Sequence, residues 1–130
     1  MKLLLDTQML IWATVWPERL PKKARQLITN MENELYFSPA SLWEVTIKSW
    51  LNRPDFQIDA RVLRRELLDN GYVELAITGV HTTAIGDLPP LHKDPFDRLL
   101  LSQAKTEGIS LLTADATLAK YAVPLLFVHK

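Results

Sequence analysis

Apolar positions alternate along this chain between short continuous runs and stretches with helical spacing. Lys2-Leu3-Leu4-Leu5-Asp6 is nearly all apolar, the pattern of a strand buried on both faces, and residues 7–15 then carry apolar side chains at helical intervals. A strand followed by a helix is therefore predicted from the outset. Pro21 is placed for the first turn of a helix over 22–31, after which 35–37 reads as a second short strand. Ser41 opens the next helix, spaced with Glu44 as a capping box, and that helix runs to about Trp50. Asp59 caps a helix through Asp69, Asn70-Gly71 stops it, and 72–77 reads as the third strand. Asp94-Pro95 starts a helix that Gly108 ends, with Phe96, Leu99, Leu100, Gln103 and Ala104 on its inner face. A fourth strand over 109–112, a short helix over 115–120 and a last strand over 124–128 complete the pattern.

Strands separated by helices imply parallel pairing with right-handed crossovers. The expected fold is a three-layer α/β/α sandwich with a mainly parallel sheet of four to five strands, built as a single domain over residues 1–130. Residues 51–58, which include Pro54, are the expected excursion from the core.

Composition narrows the chemistry. The chain has no cysteine, which excludes disulfides, thiolate metal sites and cysteine nucleophiles and leaves oxygen or His as the donors for any metal. Fifteen basic residues balance fifteen acidic ones, so nucleic acid, if bound, is bound locally and not by a whole-protein field. Asp6 interrupts the N-terminal apolar run too early for an export signal, and no apolar stretch reaches the roughly 18 residues of a spanning helix. A soluble protein with no membrane partner is expected, cytoplasmic if bacterial or archaeal.

Four acids then stand out by their places in this pattern. Asp6 ends the first strand, Glu44 lies one turn into its helix, Asp97 sits in the first turn of the helix begun by Asp94-Pro95, and Asp115 follows the fourth strand. Ligands bind outside the carboxyl ends of parallel strands, where strand order reverses, and these placements are compatible with one such cleft. Carboxylates gathered there repel by roughly 1–4 kcal/mol per close pair unless a cation lies between them. Each acid also has a purely structural role available: Asp6, Asp94 and Asp115 as helix caps, and Glu44 as the end of a capping box and the partner of Lys48. What capping leaves unexplained is that the acids fall at strand–helix junctions on one edge of the sheet.

The ordered segments LLLDT, SPASLWEVTIK, DPFDRLLLSQA and LLTAD, which span nearly the whole chain, resemble the PIN domain, and among PIN domains the short VapC-like ribonuclease toxins of toxin–antitoxin pairs. The resemblance implies that Asp6, Glu44, Asp97 and Asp115 form a catalytic acidic cluster holding Mg²⁺ or Mn²⁺ for hydrolysis of RNA phosphodiester bonds. It places Thr7 and Thr113 where their hydroxyls would orient carboxylates or bound water, and gives Asp94 an outer supporting role. It also implies two protein partners, a second copy of the chain in a homodimer and a cognate antitoxin whose tail would occlude the cleft. Gln8 stands where relatives often carry His.

Lys48, Arg53, Lys93 and Arg98 lie near the acidic motifs in sequence and are the candidate RNA contacts, while Arg61, Arg64 and Arg65 make a solvated basic face. His81, His92 and His129 lack metal-ligand spacing with one another and read as ordinary surface or core residues. Trp12, Trp16, Trp43 and Trp50 fall at helical spacing and read as core. A receiver-type module is disfavoured because only Asp6 ends the first strand, and a haloacid-dehalogenase-type phosphatase because Gln8 occupies the place of its second acid. The remaining alternative is a non-catalytic or DNA-directed PIN-like domain.

Overall fold

The computed structural model describes residues 1–51, 54 and 56–130. Its sheet is built from β1 (Lys2–Leu5), β2 (Glu34–Phe37), β3 (Val73–Glu74), β4 (Ser110–Thr113) and β5 (Leu125–Phe127). These lie in the order β3-β2-β1-β4-β5 and every pairing is parallel. Parallel pairing requires long crossovers, and the helices α1 (Thr7–Thr14), α2 (Lys22–Thr29), α3 (Pro39–Trp50), α4 (Ala60–Asp69), α5 (Gly79–Ala84) and α6 (Pro95–Glu107) supply them.

The apolar run of β1 divides its side chains between the two faces of the sheet. Leu3 and Leu5 join Met9, Leu10 and Trp12 of α1 and Leu63 and Leu67 of α4 in one core, whereas Leu4 packs with Leu99, Leu100 and Ala104 of α6 in the other. The period of two along a strand thus fills both outer layers at once, giving the three-layer sandwich. Helix α3 touches α1 and α4 on one side and α6 on the other, so it bridges the layers at one end of the sheet. No helix among the described residues is long and apolar enough to cross a membrane.

Several boundaries differ from the pattern reading, each for a local reason. The first strand stops at Leu5 because Asp6 turns out of it to cap α1. The third α-helix begins at Pro39, with Ser38 as its cap accepting from Ala40 N–H at 3.1 Å, so Ser41 and Glu44 form no capping box. Proline tolerates the first helical position because the N–H it lacks would have no partner there. The third strand shrinks from 72–77 to Val73–Glu74, an edge pairing only with Tyr36 and Phe37. Helix α5, absent from the pattern reading, carries no apolar stripe; the Thr78 hydroxyl and the His81 ring cap its first turn instead. Over 115–120 the chain makes only the 3₁₀ turn Leu118–Lys120.

Trp12 is core, as its spacing suggests, but Trp43 and Trp50 are 60% and 81% exposed, which corrects their assignment to the core. Both lie on the outer side of α3, where Trp43 rests edge-on against Phe96 at 5.1 Å.

Helix α6 closes as its sequence implies. Asp94 caps its start, and Gly108 ends it in the left-handed region at φ +67°, while Ile109 N–H reaches back to Ala104 O at 3.1 Å. Nothing lies within 4 Å of a Cβ built on Gly108, so only backbone strain opposes a side chain there. Gly108→Ala is expected to cost about 1 kcal/mol. Gly86→Ala, equally open but without a positive φ, is expected to stay within about 0.5 kcal/mol of wild type, as urea denaturation of the two variants will show.

Candidate metal centre

Strand order reverses between β1 and β4, which makes the carboxyl ends of these strands the switch point of the sheet. Asp6 N–H donates to Leu112 O at 3.1 Å across that point, fixing Asp6 beside the end of β4. Its carboxylate accepts from Met9 N–H at 2.8 Å and is almost wholly buried. Asp115 follows β4 by two residues, tied by its N–H to the Thr113 hydroxyl at 3.0 Å and by its carboxylate to Thr117 N–H at 2.8 Å. From the other side, α3 brings Glu44, and the first turn of α6 brings Asp97. All four acids line one cleft of about 440 Å³, together with Thr7, Gln8, Trp12, Lys48, Phe56, Asp94 and Lys130.

The electrostatics of the cleft are unusual for carboxylates. Burial pushes the Asp6 carboxyl up from 3.8 to about 7; hydrogen bonds from Thr113 and Met9 oppose the rise, and the charges of Asp97 and Asp115 add to it. Asp97 is pushed up to about 6, again by burial first, with Asp94 and Glu44 adding to the rise and His92 opposing it. Glu44 holds Lys48 through Oε2 at 2.8 Å, but its other oxygen, Oε1, is buried with no hydrogen-bond partner. Buried oxygens are almost always paired, so an unpaired one beside other carboxyl groups marks a place suited to a cation. The donors are oxygens, which fit a hard divalent ion such as Mg²⁺ or Mn²⁺.

The supporting residues divide. The Thr113 hydroxyl serves both Asp6 and Asp115, as its position suggests. Thr7 instead donates to Ser41 Oγ at 2.9 Å, a buried link between α1 and α3 that holds the two acid-bearing helices together. Asp94 is a cap, accepting from Phe96 N–H at 2.8 Å and Asp97 N–H at 3.2 Å. Among the candidate RNA contacts, Lys48 lines the cleft, Lys93 is exposed, and Arg53 lies outside the described residues. Arg98 has a structural role: its Nη1 and Nη2 groups donate to the carbonyls of Pro89, His92, Ile85 and Leu88 and to the Tyr121 hydroxyl, tying it to the loop before α6. Arg64 is paired with Glu74 at 2.8 Å.

One residue that touches the site without being among those lining the cleft escaped the sequence reading. His92 Nε2 lies 2.8 Å from Asp97 Oδ2 and 4.0 Å from Asp115 Oδ2. Among the described residues, the group of three possible ligands whose donor atoms all fall within 4.8 Å of one another is His92, Asp94 and Asp97, while the four acids are spread more widely around the cleft. The available signal was position: His92 lies two residues before Asp94, the start of the DPFD segment, and a test for spacing among histidines alone could not find it.

The sequence matches the PIN domain family over residues 3–124. No curated protein matches it at the level of sequence. In fold, it is similar to a chain of the VapBC2 complex from Rickettsia felis bound to a DNA fragment from its promoter, with a TM-score of 0.70 at 18% identity over 98% of both chains. A chain of DNA-bound VapBC from Salmonella typhimurium gives 0.66 at 13% identity, again over 98% of each. A toxin–antitoxin complex from Klebsiella pneumoniae gives 0.66 at 15%, with the same coverage.

The raised carboxyl groups have a consequence for stability. Asp6 and Asp97 bind protons more tightly folded than unfolded, so the stability they contribute is full near pH 4 and is lost as pH rises through about 6 and 7. Asp6→Asn keeps an equally good helix cap while removing this dependence. Urea midpoints of the metal-free protein should therefore fall from pH 5 to pH 8 more steeply for wild type than for Asp6→Asn, the two diverging by a few kcal/mol at pH 8.

Proposed function

The chain belongs to the PIN domain family, whose members are generally nucleases, and from that premise we propose that it is a divalent-metal-dependent endoribonuclease acting as the toxin of a toxin–antitoxin pair. The observation that carries this reading is the unpartnered, buried Glu44 Oε1 in a cleft shared with Asp6, Asp97 and Asp115. Asp6, Asp97 and Asp115 are the proposed metal ligands, with Glu44 a fourth ligand or the group that orients the attacking water. A divalent ion held there supplies a water of lowered pKa and stabilises charge on the phosphodiester oxygens.

The remaining work falls to the chain's own residues. Lys48 neutralises one oxygen of Glu44 and leaves the other, Oε1, unpaired. The Thr113 hydroxyl and Met9 N–H hold Asp6 at the cleft wall, fixing the orientation of its carboxylate. Lys130, at the cleft wall, and the exposed Lys93 are proposed to hold the sugar–phosphate backbone of RNA, a contact that positions substrate without reading sequence.

Three of the solved structures similar in fold, those from Rickettsia felis, Salmonella typhimurium and Klebsiella pneumoniae, are toxin–antitoxin complexes, which supports a cognate antitoxin as partner. We propose that its tail covers the acidic cleft, and that the exposed Trp43 and Trp50 of α3 belong to the interface of a homodimer. The chain is proposed to act in the cytoplasm as one domain.

Incubation of the purified protein with total RNA and with DNA of matched length, with and without Mn²⁺ or Mg²⁺, tests the reading. Cleavage of RNA alone, abolished by a chelator, is expected. Asp6→Asn and Asp97→Asn should each lower the rate on the order of 100-fold or more with the fold retained. Wild-type rates in either variant would sink the assignment, and cleavage or binding of DNA in preference would favour a DNA-directed domain.

A further inference from the structure

His92 is held more firmly than a loop histidine needs to be. Its N–H and that of Leu91 donate to the Tyr121 hydroxyl at 2.9 and 3.1 Å, and its carbonyl accepts from Arg98 Nη1 at 3.3 Å. The same guanidinium fastens Pro89, Leu88 and Ile85, so the segment entering α6 is pinned along its backbone and the imidazole is presented to Asp97 in one place.

The distances around Nε2 suit more than a hydrogen bond. An octahedral ion with bonds of about 2.1 Å sets neighbouring ligand atoms about 3.0 Å apart and opposite ones about 4.2 Å apart. Nε2 lies 2.8 Å from Asp97 Oδ2 and 4.0 Å from Asp115 Oδ2. Asp94 contributes a further carboxylate oxygen within 4.8 Å of both Nε2 and Asp97. A second sign comes from the cleft itself: Glu44 is more than nine-tenths buried, its Oε1 has no partner, and it lines the cleft with Asp94 and Asp97, which His92 meets through its 2.8 Å contact with Asp97.

Resting on the metal-site reading above, we propose that His92 Nε2 is itself a ligand to the divalent ion, placing one nitrogen in an otherwise all-oxygen shell. Imidazole favours first-row transition ions, whereas Mg²⁺ takes oxygen. The site is thereby selective for Mn²⁺ over Mg²⁺. In the metal-free protein the same nitrogen keeps its place by hydrogen bonding Asp97, so ion binding needs little movement of the ring.

Pulsed electron paramagnetic resonance of Mn²⁺ on the full chain, paired with calorimetric titration of Mn²⁺ and Mg²⁺, tests this without reference to cleavage. Wild type should show the ¹⁴N coupling of a directly bound imidazole, and His92→Ala should lose it. His81 is buried against Glu107, and His129, whose ring meets Phe127 edge-on, provides a control: His129→Ala should keep the coupling that His92→Ala loses. Mn²⁺ affinity should fall about 10–100-fold in His92→Ala, with Mg²⁺ affinity changed much less. His92→Gln, which can still donate to Asp97, separates ligation from mere positioning: it should fail to restore Mn²⁺ preference. Restoration by Gln, or Mn²⁺ bound to wild type without nitrogen coupling, would overturn the ligand role alone. Failure of wild type to bind Mn²⁺ at all would overturn the metal site with it.

Discussion

The buried carboxylate of Asp6 is where the fold and the cleft meet. Its backbone N–H extends the pairing of β1 with β4, its side chain starts α1, and it shares a cleft with three other acidic side chains. A capping carboxylate contributes about 1 kcal/mol when solvated, but here burial opposes its charge strongly enough to bring its pKa to about 7. A chain selected only for stability would do better with Asn or Ser at this position. Keeping a carboxylate there makes sense if something positive compensates it, and the unpaired Glu44 Oε1 repeats the same tension on the opposite wall.

Rigid elements set the geometry around that point. Thr7 links α1 to α3 through Ser41, so the helices bearing Asp6 and Glu44 move together. Asp94 and Pro95 fix the first turn of α6, which aims Asp97, while Arg98 and Tyr121 fix the loop that aims His92. In the segment from His92 to Arg98, capping, metal-ligand candidates and loop anchoring are therefore interleaved. Its basic residue serves the loop first: Nη1 and Nη2 of Arg98 are shared among four carbonyls and a hydroxyl.

The layers and the parallel sheet were legible because each depends on local pattern. An unbroken apolar strand such as β1 must be covered on both sides, and helical spacing after each strand supplies the cover. The convergence of Asp6, Glu44, Asp97 and Asp115 on one cleft was legible from their order along alternating strands and helices together with the resemblance to the PIN family, since pattern alone does not say which strands are neighbours. What depends on contacts distant in sequence was not legible. Trp43 and Trp50 carry a core-like spacing on α3, yet this helix bridges two layers and leaves its outer side uncovered. Arg98 read as a substrate contact because nothing local reveals the carbonyls that surround it. His92 was passed over because its partners are acids and not other histidines.

The central claim is that the acids of this cleft form one divalent-metal site, and crystals soaked in Mn²⁺ and measured at the manganese absorption edge test it most directly. The account predicts an anomalous peak in the cleft within coordination distance of Asp6, Asp97 and Asp115, with Glu44 Oε1 facing it directly or through one water. A saturating soak that leaves the cleft without a peak, or places manganese only at surface carboxylates away from Asp6, would contradict it.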